Sequence, residues 1–171
     1  MSQPTGDMIV AAARQWLGTP YVHQASALGA GCDCLGLIRG VWRSCYGTEP
    51  EQPPAYTMDW SEPQGEEALW QAALRHLAPK PHEAAAIGDV ILFRMRAGAV
   101  AKHVAIQTAV DAPARFIHAY CGHGVVETAL SRPWQRRIVA RFAFPMQATA
   151  GCSNTRGEGD ADSDAVGEEV M

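Results

Sequence analysis

Hydrophobic residues recur at helical spacing in three stretches of the first half of the chain and in strand-like runs over the second. Ile9, Ala12, Ala13, Trp16 and Leu17 mark one face of a helix over Met8 to Leu17, ended by Gly18. Leu35, Ile38, Val41, Trp42 and Cys45 do the same for a second helix, opened by Cys34, running to about Tyr46 and stopped by Gly47. Leu69, Ala73, Leu74 and Leu77 mark a third over Glu66 to Leu77, closed by Pro79 and Pro81. After Gly88 the texture changes. Val90 to Met95, His103 to Val110, Arg115 to Tyr120, Val125 to Leu130 and Ile138 to Phe144 each hold branched or aromatic residues between turn signals. Helices followed by strands predict an α+β domain with a mostly antiparallel sheet of five to six strands. His23 to Gly31 reads as a small-residue loop. Thr48 to Gly65, rich in Pro and Glu and without periodicity, reads as a long surface loop. Its Tyr56 and Trp60 either touch a substrate or, the commoner case, pin the loop to the body.

Composition adds a boundary to this picture. The chain has 171 residues, 47% of them hydrophobic, which suits one domain with a sizeable core, residues 1–148. Residues 149–171 form a tail. From Arg156 onward six acidic residues stand against one basic, so the formal charge of −4 belongs to the tail and the rest of the chain is close to neutral. Such a tail carries too little apolar surface to fold alone and is expected to be disordered. A nearly neutral folded part gives no electrostatic ground for binding nucleic acid. Five cysteines, an odd number, fit reduced thiols better than a disulfide framework. No basic start with an apolar core and no membrane-length apolar run are present. The expectation is therefore cytoplasmic synthesis of a soluble protein, without signal peptide or membrane insertion.

Candidate chemistry centres on GCDCLGLIRG, residues 31–40. Asp33 can cap the second helix, and Cys34 opens it, where unpaired N–H groups and the helix dipole favour a thiolate. A buried core thiol is the ordinary alternative for a free cysteine. Cys32 competes with Cys34 as a nucleophile on chemistry alone, and Cys32, Cys34 and a histidine make a weak zinc pattern. Strand alternation puts His103, Ala105 and Gln107 on one face of their run, and Phe116, His118 and Tyr120 together on one face of the next. If these runs pair through the short Asp111 to Ala114 connection, both imidazoles point the same way. A thiol–imidazole pair with a third, orienting group requires that geometry. For either histidine alone, a hydrogen-bonded structural imidazole is the usual reading.

The segments LGTPY (17–21), DCLGL (33–37), GDVILF (88–93), HVAI (103–106) and FIHA (116–119), in this order, resemble the NlpC family of papain-like cell-wall cysteine peptidases over about residues 8–145. TPYVHQAS (19–26) and GCDCLGL (31–37) resemble its phage-tail and gene-transfer-agent branch. The resemblance implies a papain-like fold with Cys34 as nucleophile, His103 as base and His118 as the third polar residue. It places the Tyr21 hydroxyl on the substrate or oxyanion and gives Asp33 the task of tying down the loop before the nucleophile. Its D-C-x-G register selects Cys34 over Cys32. The implied reaction is hydrolysis of an amide through a thioester, with no metal or organic cofactor. The implied substrate is the peptidoglycan stem peptide, most often the bond between D-glutamate and diaminopimelate. Phage-like tail or baseplate proteins are the implied partners, and a tail-like particle or a lysis step would deliver the enzyme to the cell wall. The chain departs from the pattern at Leu35, where many relatives have Ser, and at His23, Gln24 and Ala25, where they have Trp-Gly-Gly. These positions bear on bond specificity. Two other classes stay open: a structural tail component with a vestigial site, docking through the acidic tail and the 48–65 loop, and a thiol acyltransferase or deamidase on another amide or ester.

Overall fold

The apolar faces read from the sequence form the elements expected of them, with boundaries displaced by no more than three residues. The computed structural model describes residues 4–58 and 62–146; Trp60, Cys152 and the acidic tail lie outside these described residues. Helix α1, Gly6–Arg14, starts at Thr5, whose hydroxyl accepts the Met8 N–H at 3.3 Å. Strands β1, Ser26–Ala27, and β2, Gly31–Cys32, pair as a small antiparallel hairpin within the stretch that composition marks as loop. That hairpin leads directly into α2, Cys34–Tyr46, which ends as expected at Gly47 with a φ of 84°. Helix α1 and α2 approach closely, because a Cβ at Gly40 would collide with the Trp16 indole. Helix α3 spans Ala68–His76.

Strands β3, Ala78–Lys80, β4, Val90–Phe93, β5, His103–Ala109, β6, Arg115–Tyr120, β7, Gly124–Ala129, and β8, Ile138–Ala143, form one antiparallel sheet in the order β3-β8-β4-β5-β6-β7; a one-turn helix α4, Arg132–Gln135, precedes β8. The α+β architecture thus stands, with six strands. The sixth is β3, where Pro79 and Pro81 read only as helix terminators. Pro79 is tolerated because β3 is an edge strand that bonds β8 alone, so its outward positions need no N–H.

The sheet is buried on both faces. Val90, Leu92, Val104, Ile106, Ile117 and Phe142 pack against α1 and α2 through Ile9, Ala13, Leu37 and Val41. Ile91, Phe93, Ala105 and Phe116 face the other way, under Leu130 and Trp134. The loop from Thr48 is anchored at both described ends. Glu49 is bound by Arg39, at 2.6 Å, and by Arg43, and Tyr56 is bound to the segment before α2.

Candidate active site

Asp33 is the N-cap of α2, as the sequence predicts: its Oδ1 accepts the Gly36 N–H at 2.8 Å. A side chain at Gly36 would collide with the Ala25 carbonyl oxygen, so the helix start is pressed against the preceding loop. The other carboxylate oxygen accepts the Gln24 N–H at 2.7 Å and the Tyr56 hydroxyl at 2.6 Å, with His23 Nδ1 3.6 Å away. His23 Nε2 and Gln24 Nε2 both donate to the Tyr56 carbonyl oxygen, at 3.0 and 2.8 Å. One buried carboxylate therefore joins the cap loop, the helix and the 48–58 loop. Tyr56 pins that loop, and the atypical His23 and Gln24 are the residues that hold it.

These contacts leave Cys34 at the floor of a cleft of about 140 Å³, shared with Tyr21, His23, Asp33 and His103 and walled by Met58, Met95, Lys102, Tyr120 and Cys121. Cys32 points elsewhere. It is fully buried in the helix-side core, and its backbone bonds Pro20 and Val22 at 3.0 and 3.1 Å. Of the C-x-C pair, Cys34 lines the cleft and Cys32 does not. Among the described residues no group of three or more His, Cys, Asp or Glu side chains is placed to hold a metal.

Register brings the histidines together. Ile106 of β5 faces Ile117 of β6, and continuing this pairing sets His118 across from Ala105, diagonal to His103 on the same face. His103 Nε2 lies 2.8 Å from His118 Nδ1, and His118 Nε2 lies 3.0 Å from Thr128 Oγ1. Phe93, Phe116, Tyr120 and Trp134 surround the pair, with the Trp134 ring 5.2 Å from that of His118. His103 Nδ1 bonds no described residue, so it is the nitrogen left for a partner in the cleft that His103 lines.

Burial, and after it the Asp33 carboxylate, push the Cys34 pKa up to about 12, against the N–H group of Val104 on β5 and those of Leu35 and Cys34 at the helix start. Burial, followed by the neighbouring His118, brings His103 down to about 3; burial, followed by His123, brings His118 down to about 4. Burial thus opposes charge on the thiol and on both imidazoles. The thiol points at the Lys102 carbonyl oxygen, 3.9 Å away. Burial, then Cys34 and Asp33, keep Tyr21 protonated with a pKa of about 12, and its hydroxyl bonds no other described residue.

Three neighbours of the site escape a reading by spacing alone. Thr128 would have emerged only by carrying strand alternation onto β7. Cys121 sits in the turn after β6, and Trp134 reaches the histidines from the one-turn helix α4. No helix among the described residues is long and apolar enough to cross a membrane.

Solved structures share this arrangement of helices and sheet. A Bacillus cereus NlpC/P60 family protein aligns with a TM-score of 0.60 at 21% identity, covering 83% of this chain and 41% of its own. The NlpC/p60 domain of the peptidoglycan hydrolase SagA aligns with a TM-score of 0.55 at 24% identity, covering 82% and 99%. A lipoprotein-like NLP/P60 family protein from Staphylococcus aureus aligns with a TM-score of 0.56 at 25% identity, covering 84% and 42%. The chain thus spans less than half the length of the Bacillus and Staphylococcus proteins and nearly the whole of the SagA domain. No curated protein matches it. Residues 18–142, which hold the capped α2, the cleft and the six-stranded sheet but for the last residue of β8, match the NlpC/P60 family, and the chain belongs to that family.

Proposed function

We propose that this protein is a cysteine peptidase that hydrolyses an amide bond of peptidoglycan stem peptides, the bond between D-glutamate and diaminopimelate being the first candidate. The observation that carries the reading is the hydrogen bond of 2.8 Å between His103 Nε2 and His118 Nδ1. It occupies one imidazole nitrogen and leaves Nδ1 available in the cleft that holds Cys34. Family membership and the peptidoglycan hydrolase among the similar structures support the substrate class.

Because burial disfavours charge on both thiol and imidazole, proton transfer accompanies attack. The thiol turns from the Lys102 carbonyl to His103, Nδ1 takes its proton, and Sγ bonds the amide carbon. The resulting oxyanion is held by the Cys34 N–H at the helix start and by the Tyr21 hydroxyl. His103 then passes its proton to the amine nitrogen, the C–N bond breaks and a thioester remains. Water, losing a proton to His103, attacks the thioester; the carboxylic acid leaves and the proton returns to Cys34. Asp33 holds the cleft wall without touching the reacting atoms. A phage-tail or gene-transfer-agent setting, with tail or baseplate partners, belongs to this proposal through the segments TPYVHQAS and GCDCLGL.

The test is digestion of purified stem peptides followed by mass analysis of the products. Release of fragments ending in D-glutamate and beginning with diaminopimelate is expected. Intact peptides, or transfer of an acyl group in place of hydrolysis, would overturn the reading.

A further inference from the structure

We propose that Thr128 is a positioning residue of this site: its hydroxyl accepts the Nε2 proton of His118 and so supports the arrangement in which Nδ1 of His103 is free to take a proton. The role in turnover rests on the peptidase reading above; the hydrogen-bond chain does not.

Two neutral imidazoles can share a hydrogen bond in only two ways, because one nitrogen must carry the proton and the other must offer a lone pair. In the first, His103 donates from Nε2 to His118 Nδ1, across 2.8 Å. His118 then carries its own proton on Nε2, which faces Thr128 Oγ1 at 3.0 Å, and His103 Nδ1 is bare and able to act as a base. In the second, His118 donates from Nδ1 and its bare Nε2 takes the Thr128 O–H, His103 is protonated on Nδ1, and that nitrogen cannot accept a proton from the thiol.

The surroundings decide how much the hydroxyl matters. His118 is 1% exposed, and among the described residues Thr128 Oγ1 is the one hydrogen-bond partner of its Nε2. The groups around the pair are His103 from β5, Tyr120 at the end of β6, His123 in the turn after it, and the Phe116 and Trp134 rings. Among the described residues only Thr128 Oγ1 lies within hydrogen-bond distance of that N–H. A buried N–H without an acceptor is tolerated less well than a buried lone pair without a donor. Removing the hydroxyl therefore weights the pair toward the second arrangement, the one that disables His103. Strand pairing makes the placement firm: Thr128 faces Phe116 and Val126 faces His118, so Thr128 lies diagonal to His118 on one face.

The experiment is nitrogen NMR of the full chain at pH 7 with labelled histidine, which reports the protonated nitrogen of each ring, alongside stem-peptide kinetics. Wild type and Thr128→Ser should show His118 and His103 both protonated on Nε2. Thr128→Val should move His118 toward Nδ1 and lower kcat by roughly tenfold with KM unchanged, the usual scale for an outer hydrogen bond to a working histidine. A wild-type His118 protonated on Nδ1 overturns the proposal, as does a Thr128→Val protein with unchanged spectrum and kcat. Should Thr128→Val not fold, the wild-type and Thr128→Ser spectra decide alone. A wild type that cleaves no stem peptide overturns the peptidase reading, while the His118 spectrum still decides this one.

Discussion

Strand β5 carries two buried polar side chains on the same face, His103 at its start and Gln107 four residues on, and their surroundings differ in kind. Gln107 sits in a network with its valences filled. Its oxygen accepts from Arg141 at 2.7 Å and its amide donates to the Ala109 carbonyl at 2.7 Å, while Arg141 donates also to the His82 carbonyl at 3.0 Å. Nearby, Asp89 is bonded by Lys80 at 2.6 Å and by the Ala86 N–H at 2.8 Å. This end of the sheet holds formal charges and locks them. The other end holds no formal charge on its imidazoles and leaves one nitrogen unmet beside a cleft. A filled network fixes strand register; an unfilled one keeps a proton acceptor available.

The comparison predicts opposite phenotypes for two substitutions on one strand. His103→Ala should lower stem-peptide turnover per folded molecule by a factor of roughly 100 to 10,000, the worth of a positioned acid–base group, a loss far larger than any fall in stability from leaving His118 without its partner. Gln107→Ala should leave turnover per folded molecule near wild type but destabilise by about 1–3 kcal/mol, because it removes a hydrogen-bond acceptor from buried Arg141. Reversed effects, measured by peptide hydrolysis and thermal unfolding of both variants, would break the distinction.

Titration sharpens it. His103 and His118 are held neutral when folded, with pKa values near 3 and 4, whereas an unfolded histidine binds its proton at about 6.5. Below about pH 6.5 the unfolded chain therefore holds more protons than the folded one, and stability falls as pH drops, by up to about 1.4 kcal/mol per pH unit for each ring. Melting temperature should decline between pH 6.5 and 5 in wild type, and less steeply in His118→Asn. A profile flat over that window in the wild type would mean that the imidazoles are not held neutral.

The smallest effect concerns the tail. Its composition offers little apolar surface, so removal of residues 150–171 should leave both the melting temperature and turnover nearly unchanged. A drop of many degrees would place the domain boundary further along the chain.

What the sequence made legible follows the range of each interaction. Helix α2 was readable to the residue because its cap, its apolar stripe and its terminal glycine are local signals. The shared face of His103 and His118 was readable because strand alternation is local too, and only the pairing had to be assumed. The β1–β2 hairpin and β3 were not, since two- and three-residue strands carry no periodicity and two prolines hid the edge. The rise in the Cys34 pKa was out of reach for a related reason. Its helix start can be seen in the sequence, but burial and the aim of Asp33 depend on the whole fold. Thr128 and the hold of His23 and Gln24 on Tyr56 join positions far apart in the chain, out of reach of any local rule.

Central to this account is that one thiol, Cys34, carries the chemistry while its neighbour Cys32 belongs to the core. Hydrolysis of one soluble stem peptide by wild type, Cys34→Ala and Cys32→Ala, each checked for folding, tests it most directly. Cys34→Ala should fold and release no product, since a small group lost at a helix start leaves little cavity. Cys32→Ala should turn over at close to the wild-type rate per folded molecule. Turnover retained in Cys34→Ala, or lost in a folded Cys32→Ala, would contradict the assignment.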